Sequence, residues 1–549
     1  MHKRFLLSFA LAVIGAGLLV AAAFAGSAAP SKASKSGSSE VKRGGTLRIN
    51  LSETDFEFLD PALAYDSAGW QVLFATNMTL LNYPDKPGAA GARLTPDAAA
   101  AMPTISKDGK TYTFTVKSGL RFSDGSAITA AAFKRAFERA ADPKQASPAI
   151  AFLHDVVGAD NRNAGKAGSV SGVTASGQKL TVKLTRNNPT FLAEVAMPFF
   201  TAVKPNMPIN AKGENVYPTA GPYRIVSRDV GRQLVLERNR FYKGSRPSNA
   251  DRIVISVLTD QAQSFLQTKA GQADYDMGGL PPTAHQELFN AYGVNKGRYF
   301  VNPGPNVAYA ALNTTAGRPF ANVNLRKAVN YAVDRPAWLR VGGLLAGKRT
   351  DQILPSGIRG FRDAKLYPIQ GANPTRARQL SAGSNAEIKI LHTTSPTAVA
   401  RAQILQFNLR QMGLRPELKP QPFAVAIKTA GDKGSDFDMF TIAWFADYPD
   451  PFDFINVLLD GNNIQQSNNS NYAYLNNPSY NKRMQDAAKL SGDARYAAYG
   501  KLDVDLMRNL APWAPMHNGN TREFISNRVT NYIYHPVYAA AVLNALAVK

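Results

Sequence analysis

Nine consecutive residues concentrate the groups that could do chemistry: Ala443-Trp444-Phe445-Ala446-Asp447-Tyr448-Pro449-Asp450-Pro451. Two carboxylates stand here among aromatic rings and prolines. A desolvated carboxylate accepts charge-assisted hydrogen bonds from a ligand cation, and aromatic faces shield them from water. Asp436, Asp438, Asp447, Asp450 and Asp453 could in principle serve acid/base or metal chemistry. Their spacing is broken by prolines and aromatics, and no second cluster matches them, which argues against glycoside hydrolysis. The histidines, His2, His154, His285, His392, His517 and His535, form no i,i+4 pair and give no metal motif. There is no Gly-x-Ser-x-Gly elbow, and Gly168-Ser169-Val170-Ser171-Gly172 has its serines in the wrong places. Gly342 to Lys348 has the spacing of a phosphate-binding loop, but Arg349 stands where a hydroxyl must meet magnesium, so a Gly-rich turn is the better reading. No catalytic residue, cofactor or metal site is expected.

The elements around the nine residues say how they are positioned. Met439-Phe440-Thr441-Ile442 reads as a buried strand, and the prolines after it force a stiff turn. Ile388 and Ile390 mark another strand. Ser395-Pro396 starts a helix with Val399, Ala402, Leu405, Leu409 and Met412 on one face, Gly413 stops it, and a strand returns near Leu418. Strand, helix and strand in that order predict a parallel βαβ unit. Earlier, Leu47, Ile49 and Leu51 alternate as on a half-buried strand. Tyr112, Phe114 and Val116 follow the Asp108-Gly109 turn. Thr129 is expected to cap a helix that carries Phe133 and Phe137, and Leu180, Val182 and Leu184 alternate again.

The chain has 549 residues, more than one core usually serves, and 45% of them are hydrophobic, as in a globular protein. His2-Lys3-Arg4, an apolar run from Phe5 to Ala25, and Ala23-Phe24-Ala25 predict an export signal; an uncleaved anchor is the alternative. Residues 26–42 read as a flexible linker. Cysteine is absent, which excludes disulfides, thiol catalysis and a lipid-modified cysteine. The net charge is +23, yet no run of five basic residues occurs, so a solvated basic surface is expected rather than nucleic-acid binding.

Six pieces, in order, resemble the extracytoplasmic solute-binding proteins of peptide-type ABC importers, family 5. They are Arg43-Gly44-Gly45-Thr46-Leu47; Lys107 to Phe114 with Ser118 to Gly125; Pro218 to Tyr223; Asn313-Thr314 with Pro319-Phe320; Leu325 to Arg335; and Trp444 to Pro451. The resemblance implies an α/β, two-lobed periplasmic-binding-protein type II fold with a hinge, plus a β-rich domain inserted in lobe I. Lobe I would be 43–88, 200–302 and 515–549, the insert 89–199, and lobe III 303–514. The hinges would lie near Val301-Asn302-Pro303 and Pro512 to His517. It implies capture of di- or oligopeptides by a monomer, delivery to membrane permease subunits with a cytoplasmic ATPase, and an extracytoplasmic location. Asp447 would take a peptide ammonium and Ala443, Trp444 and Phe445 would pair with its backbone. Tyr448, Tyr472 in its Asn-rich loop, Tyr65 and Trp70 would add contacts. The family has Gly where Ala443 stands. A sugar, opine or nickel chelate is the alternative cargo, with His517 as the minor metal candidate. A secreted hydrolase or a basic envelope adhesion protein are the remaining readings.

Overall fold

A computed structural model describes residues 43–52, 55–258 and 260–549. The export signal and linker expected over 1–42 lie outside the described residues. Among the described residues no helix is long and apolar enough to cross a membrane.

Two large sheets organise the chain. The first has five strands in the order Tyr275–Asp276, Thr46–Ser52, Arg252–Leu258, Gln233–Arg238, Tyr223–Asp229. Thr46–Ser52 lies parallel to Arg252–Leu258. Leu47, Ile49 and Leu51 are buried as their alternation predicts. The opposite face is not solvated, however, because Asn50 and Ser52 are buried too. Asn50 Nδ2 donates to Ser264 Oγ and Gln267 Oε1 of the helix Gln261–Ala270, which covers that face.

The second sheet runs Tyr299–Pro303, Trp513–Phe524, Asn306–Leu312, Met439–Phe445, Glu387–Thr393, Arg415–Gln421, with Gly347–Arg349 added against Trp513–Phe524. It contains the expected βαβ unit: Glu387–Thr393 and Arg415–Gln421 are parallel and joined by the helix Pro396–Arg410. Ser395 Oγ caps that helix by accepting from Ala398 N, and Ala402, Leu405 and Leu409 point into the core.

A smaller sheet, Thr104–Ile105, Thr111–Thr115, Lys179–Lys183, Val173–Ser176, packs under the helix Ala130–Ala140 through Phe133 and Phe137. Thr129 stands at the start of that helix but makes no capping bond with its side chain. The helix is instead held at its other end. Arg139 Nη1 and Nη2 donate to Asp60 Oδ1 and Oδ2 at 2.8 and 2.7 Å, both side chains being fully buried.

The strand Trp513–Phe524 runs through the second sheet toward the first, and just past its end Ile525 bridges to Tyr275 of the first sheet. The first part of the strand pairs with Asn306–Leu312 and its last part with Tyr299–Pro303. Between them Gly304 and Gly519 approach Asn306 too closely for a side chain. A Cβ on Gly304 would lie 2.3 Å from Asn306 Nδ2, and one on Gly519 would lie 2.8 Å from Asn306 Oδ1. The loop after the helix Arg335–Val341 also meets the strand Trp513–Phe524. Arg522 Nη1 donates to the carbonyls of Gly342 and Leu344, and Asn520 Nδ2 to that of Leu345. Leu345 adopts φ 60, costly for a residue with a branched side chain, and packs against a cluster of Phe265, Leu288, Tyr299 and Phe524. The Gly-rich stretch considered above for phosphate thus presents carbonyls to an arginine.

Candidate functional site

Met439–Phe445 is antiparallel to Asn306–Leu312 along its whole length. On its other side it meets Glu387–Thr393 only at Met439 and Phe440. Among the described residues the edge from Ile442 to Phe445 is therefore open, with no strand partner. Ala446 N donates to Pro305 O at 2.9 Å. Antiparallel alternation then turns the peptide groups of Trp444 and Ile442 toward Asn306–Leu312, and those of Ala443 and Phe445 toward the open edge. Of the three expected edge residues, Ala443 and Phe445 present their backbone and Trp444 does not. Side chains stand perpendicular to that direction, so the Ala443 methyl group does not block the edge.

Trp444 acts through its ring. Its Nε1 donates to Asp453 Oδ2 at 3.1 Å, and the ring meets Tyr65 edge-on at 6.3 Å. Tyr65 comes from the segment that follows the first strand. It is fixed by Trp70 at 5.6 Å and Phe199 at 5.2 Å, while Trp70 Nε1 donates to Ala64 O and Asp66 caps the next helix. Tyr65 Oη donates to Asp447 Oδ2 at 2.6 Å, across 382 residues of sequence. Sequence reading names Tyr65, Trp70, Trp444 and Asp447 separately; the structure brings them into one constellation.

After Asp447 the prolines fold the chain back into the helix Phe452–Leu459. This return places Asp453 behind Asp447. Asp453 is fully buried, and its Oδ2 accepts from Asp447 N at 3.0 Å. Asp447 itself is half-buried. No cation perturbs either carboxyl. Burial raises both above the usual carboxylate range, and the charge of Asp447 raises Asp453 further. Burial, then Asp447 and Asp453, hold the Tyr65 phenol protonated as a donor. Asp450 has a different role: Arg495 Nη2 donates to its Oδ1 at 2.7 Å and pins the turn.

Tyr448 and Tyr472, expected on the ligand surface, are in the packed interior. Tyr448 is 0% exposed and joins the cluster around Phe114, Phe152 and Phe199. Tyr472 is 6% exposed and packs edge-on against Phe440 at 5.2 Å. A Tyr next to an Asp-Pro turn can face either way, and here the cores on both sides need its area. Phe445, 47% exposed, remains on the surface beside the open edge.

In the sequence Asp453 is one of five acids weighed for acid/base or metal chemistry and set aside, and an acid in the first turn of a helix is otherwise commonplace. Glu194 gave no signal. It is buried, accepts from Thr190 Oγ1 at 2.7 Å and Asn188 Nδ2 at 3.1 Å, and burial pushes it up to about 7. Its ordinary value is 4.5, so the proton it keeps stabilises the fold fully below about pH 4.5, and this contribution is lost as pH rises through 7. From pH 6 to 8 the loss is about 1.4 kcal/mol. Chemical denaturation at both values is expected to show this loss shrinking in Glu194→Gln.

His517 is buried beside two arginines, whose charge opposes a cation there. Its Nδ1 accepts from Trp338 Nε1 at 3.2 Å, and burial with Arg401 and Arg522 nearby pushes it down to about 3. Among the described residues no three His, Cys, Asp or Glu side chains could hold a metal ion together.

Tyr65 and Asp447, 382 residues apart in sequence, thus meet at the end of a strand edge without a partner, an arrangement suited to holding a solute. The sequence model described as bacterial extracellular solute-binding proteins, family 5 Middle, matches residues 93–466, and the chain belongs to that family. Its fold is the two-lobed type II fold of periplasmic binding proteins. The chain is 26% identical over 516 residues to the oligopeptide-binding protein OppA of Bacillus subtilis, covering 88% of this chain and 89% of that one. It is 27% identical over 464 residues to haem-binding protein A of Haemophilus influenzae, covering 79% and 80%. The solved structure of clavulanic acid biosynthesis oligopeptide binding protein 2 superposes with a TM-score of 0.81 at 23% identity, covering 92% of this chain and 96% of that one. Family members are extracellular binding proteins rather than enzymes.

Proposed function

We propose that this chain captures peptides with a free amino terminus in the cleft between its lobes and hands them to the permease of an ABC importer. The observation that carries this reading is the carboxylate of Asp447, set at the end of an open strand edge and met by Tyr65 from the opposite lobe. The ligand ammonium binds Asp447, and its backbone pairs with Ala443 and Phe445, so recognition depends little on side chains. Tyr65, Trp70, Trp444 and Phe445 wall the site; Tyr448 and Tyr472 support it from behind. The oligopeptide-binding relatives support peptide as the cargo. The haem-binding relative carries less weight, because His517 is committed to Trp338 and faces two arginines. We assign residues 89–199 to an inserted domain that adds Phe199 to the cleft wall, and the chain acts as an exported monomer, tethered if its first segment is not cleaved. Calorimetry with free-amine tripeptides and their N-acetylated forms tests the reading: the free amines bind and the acetylated forms do not. Equal binding of both refutes it.

Closure turns about Gly304 and Gly519. Asn306 Oδ1 accepts from Gly519 N at 2.7 Å, its Nδ2 donates to Gly519 O at 3.1 Å, and Asn518 Nδ2 donates to its carbonyl at 3.0 Å. Asn306→Ala breaks the side-chain pair and leaves Gly519 N unmet. The expected result is a looser closure: a larger radius of gyration by small-angle scattering with peptide present, and affinity weakened about 5- to 20-fold.

A further inference from the structure

Asp447 and Asp453 pose a charge problem. Asp453 is fully buried, and its Oδ1 has no hydrogen-bond partner. Both donors to its Oδ2, Trp444 Nε1 and Asp447 N, are neutral. The groups that face the pair are Tyr65, Trp444 and Tyr448, and the carboxyls of Glu194 and Asp450 act on Tyr448 as well. The nearby cation, Arg495, is spent on Asp450. Two adjacent carboxylates in such a place cannot both ionise, so they share a proton.

We infer that Asp453 is a positioning residue kept as a neutral carboxylic acid: its Oδ1 carries the proton and donates it to the Asp447 carboxylate, so that the pair offers one negative charge to one ligand ammonium. The inference rests on the reading of Asp447 given above and explains three features together. The buried Oδ1 that lacks a partner gains one. Asp447 receives two neutral donors, Tyr65 Oη in front and Asp453 behind, which fix its remaining lone pairs toward the cleft. With the ammonium bound, the buried group of three is electrically neutral, the arrangement that burial favours. A ligand end bearing two positive charges would leave one uncompensated, so the site selects a single ammonium over a diamine.

The probe is a set of free-amine tripeptides built from alanine, titrated by calorimetry at pH 6, 7 and 8. Asp453→Ala removes the donor to Asp447 and the acceptor of Trp444, and affinity is expected to drop about tenfold or more. Asp453→Asn keeps a neutral donor and acceptor in place and is expected to restore affinity to within about threefold of the native protein at all three pH values. Infrared difference spectra of native protein against Asp453→Asn at pH 7 should contain the carbonyl band of a protonated carboxyl group. An Asn variant as weak as the Ala variant, or no such band, overturns the inference. Should Asp453→Ala not fold, the infrared comparison decides alone. Asp447→Asn separates the two readings: if it binds as tightly as native protein while the band is present, the ammonium assignment fails and the shared proton stands.

Discussion

Asp447→Ala is expected to abolish measurable binding of free-amine peptides, a loss of about hundredfold or more. Truncating one partner of a buried, hydrogen-bonded charge pair costs about 2–5 kcal/mol. Here the ligand ammonium would be left in the cleft facing only the neutral phenol of Tyr65 where the carboxylate had been. The variant should be no less stable than the native protein. It removes a carboxyl whose charge burial opposes, which offsets the acceptor that Tyr65 and Asp453 lose, and it takes no cation from a partner. Calorimetry for affinity and a thermal melt for stability check the two halves separately. Undiminished affinity removes Asp447 from the site. Intact affinity with a lowered melting point would assign it a packing role instead.

Asp60→Ala is expected to have the opposite profile: a large loss of stability and little direct effect on ligand contacts. Asp60 receives both Arg139 nitrogens and also accepts from Ala62 N and Glu214 N at 3.0 Å each. Removing it strands a buried guanidinium whose other bond is to the carbonyl of Pro208. Breaking such a pair costs about 3–5 kcal/mol, because the partner stays charged and dry. Denaturant unfolding should show the loss. The double variant Asp60→Ala/Arg139→Met should recover much of it, since no charge is then left unpaired. A loss below about 1 kcal/mol in the single variant would mean that water reaches Arg139.

Asp447 is visible in the sequence, and its setting is not. Asp447 stands out because prolines and aromatics crowd around it, and the strand before it is a plain apolar run. The βαβ unit is legible from the spacing of Ala402, Leu405 and Leu409 between two strands. What a linear pattern does not carry is which distant segment closes on it. Tyr65 is as apolar and as aromatic as many core residues, and only the fold across 382 residues makes it a donor to Asp447. The same blindness made Tyr448 and Tyr472 look like ligand contacts when their area is used by the cores. Asp453, set aside with the other acids, differs for another reason: a chain reversal sets it behind Asp447, while its local context is that of any helix start. Thr129 shows the limit of local rules, for it occupies a capping position without capping.

The loop that carries Leu345 bears on how cargo strength and cargo choice are separated. Leu345 holds a costly backbone shape while its side chain sits in an apolar cluster beside the strand Trp513–Phe524. It touches no part of the edge at Ala443 and Phe445, so whatever it contributes to the open–shut population is the same for every cargo. Apparent affinity scales with the fraction of molecules that can shut. Changes in this loop would therefore multiply all dissociation constants by one common factor and leave their ranking intact, whereas changes at Asp447 re-order them. A lineage could adapt the protein to scarce or abundant nutrient by altering one loop, without redesigning what is recognised.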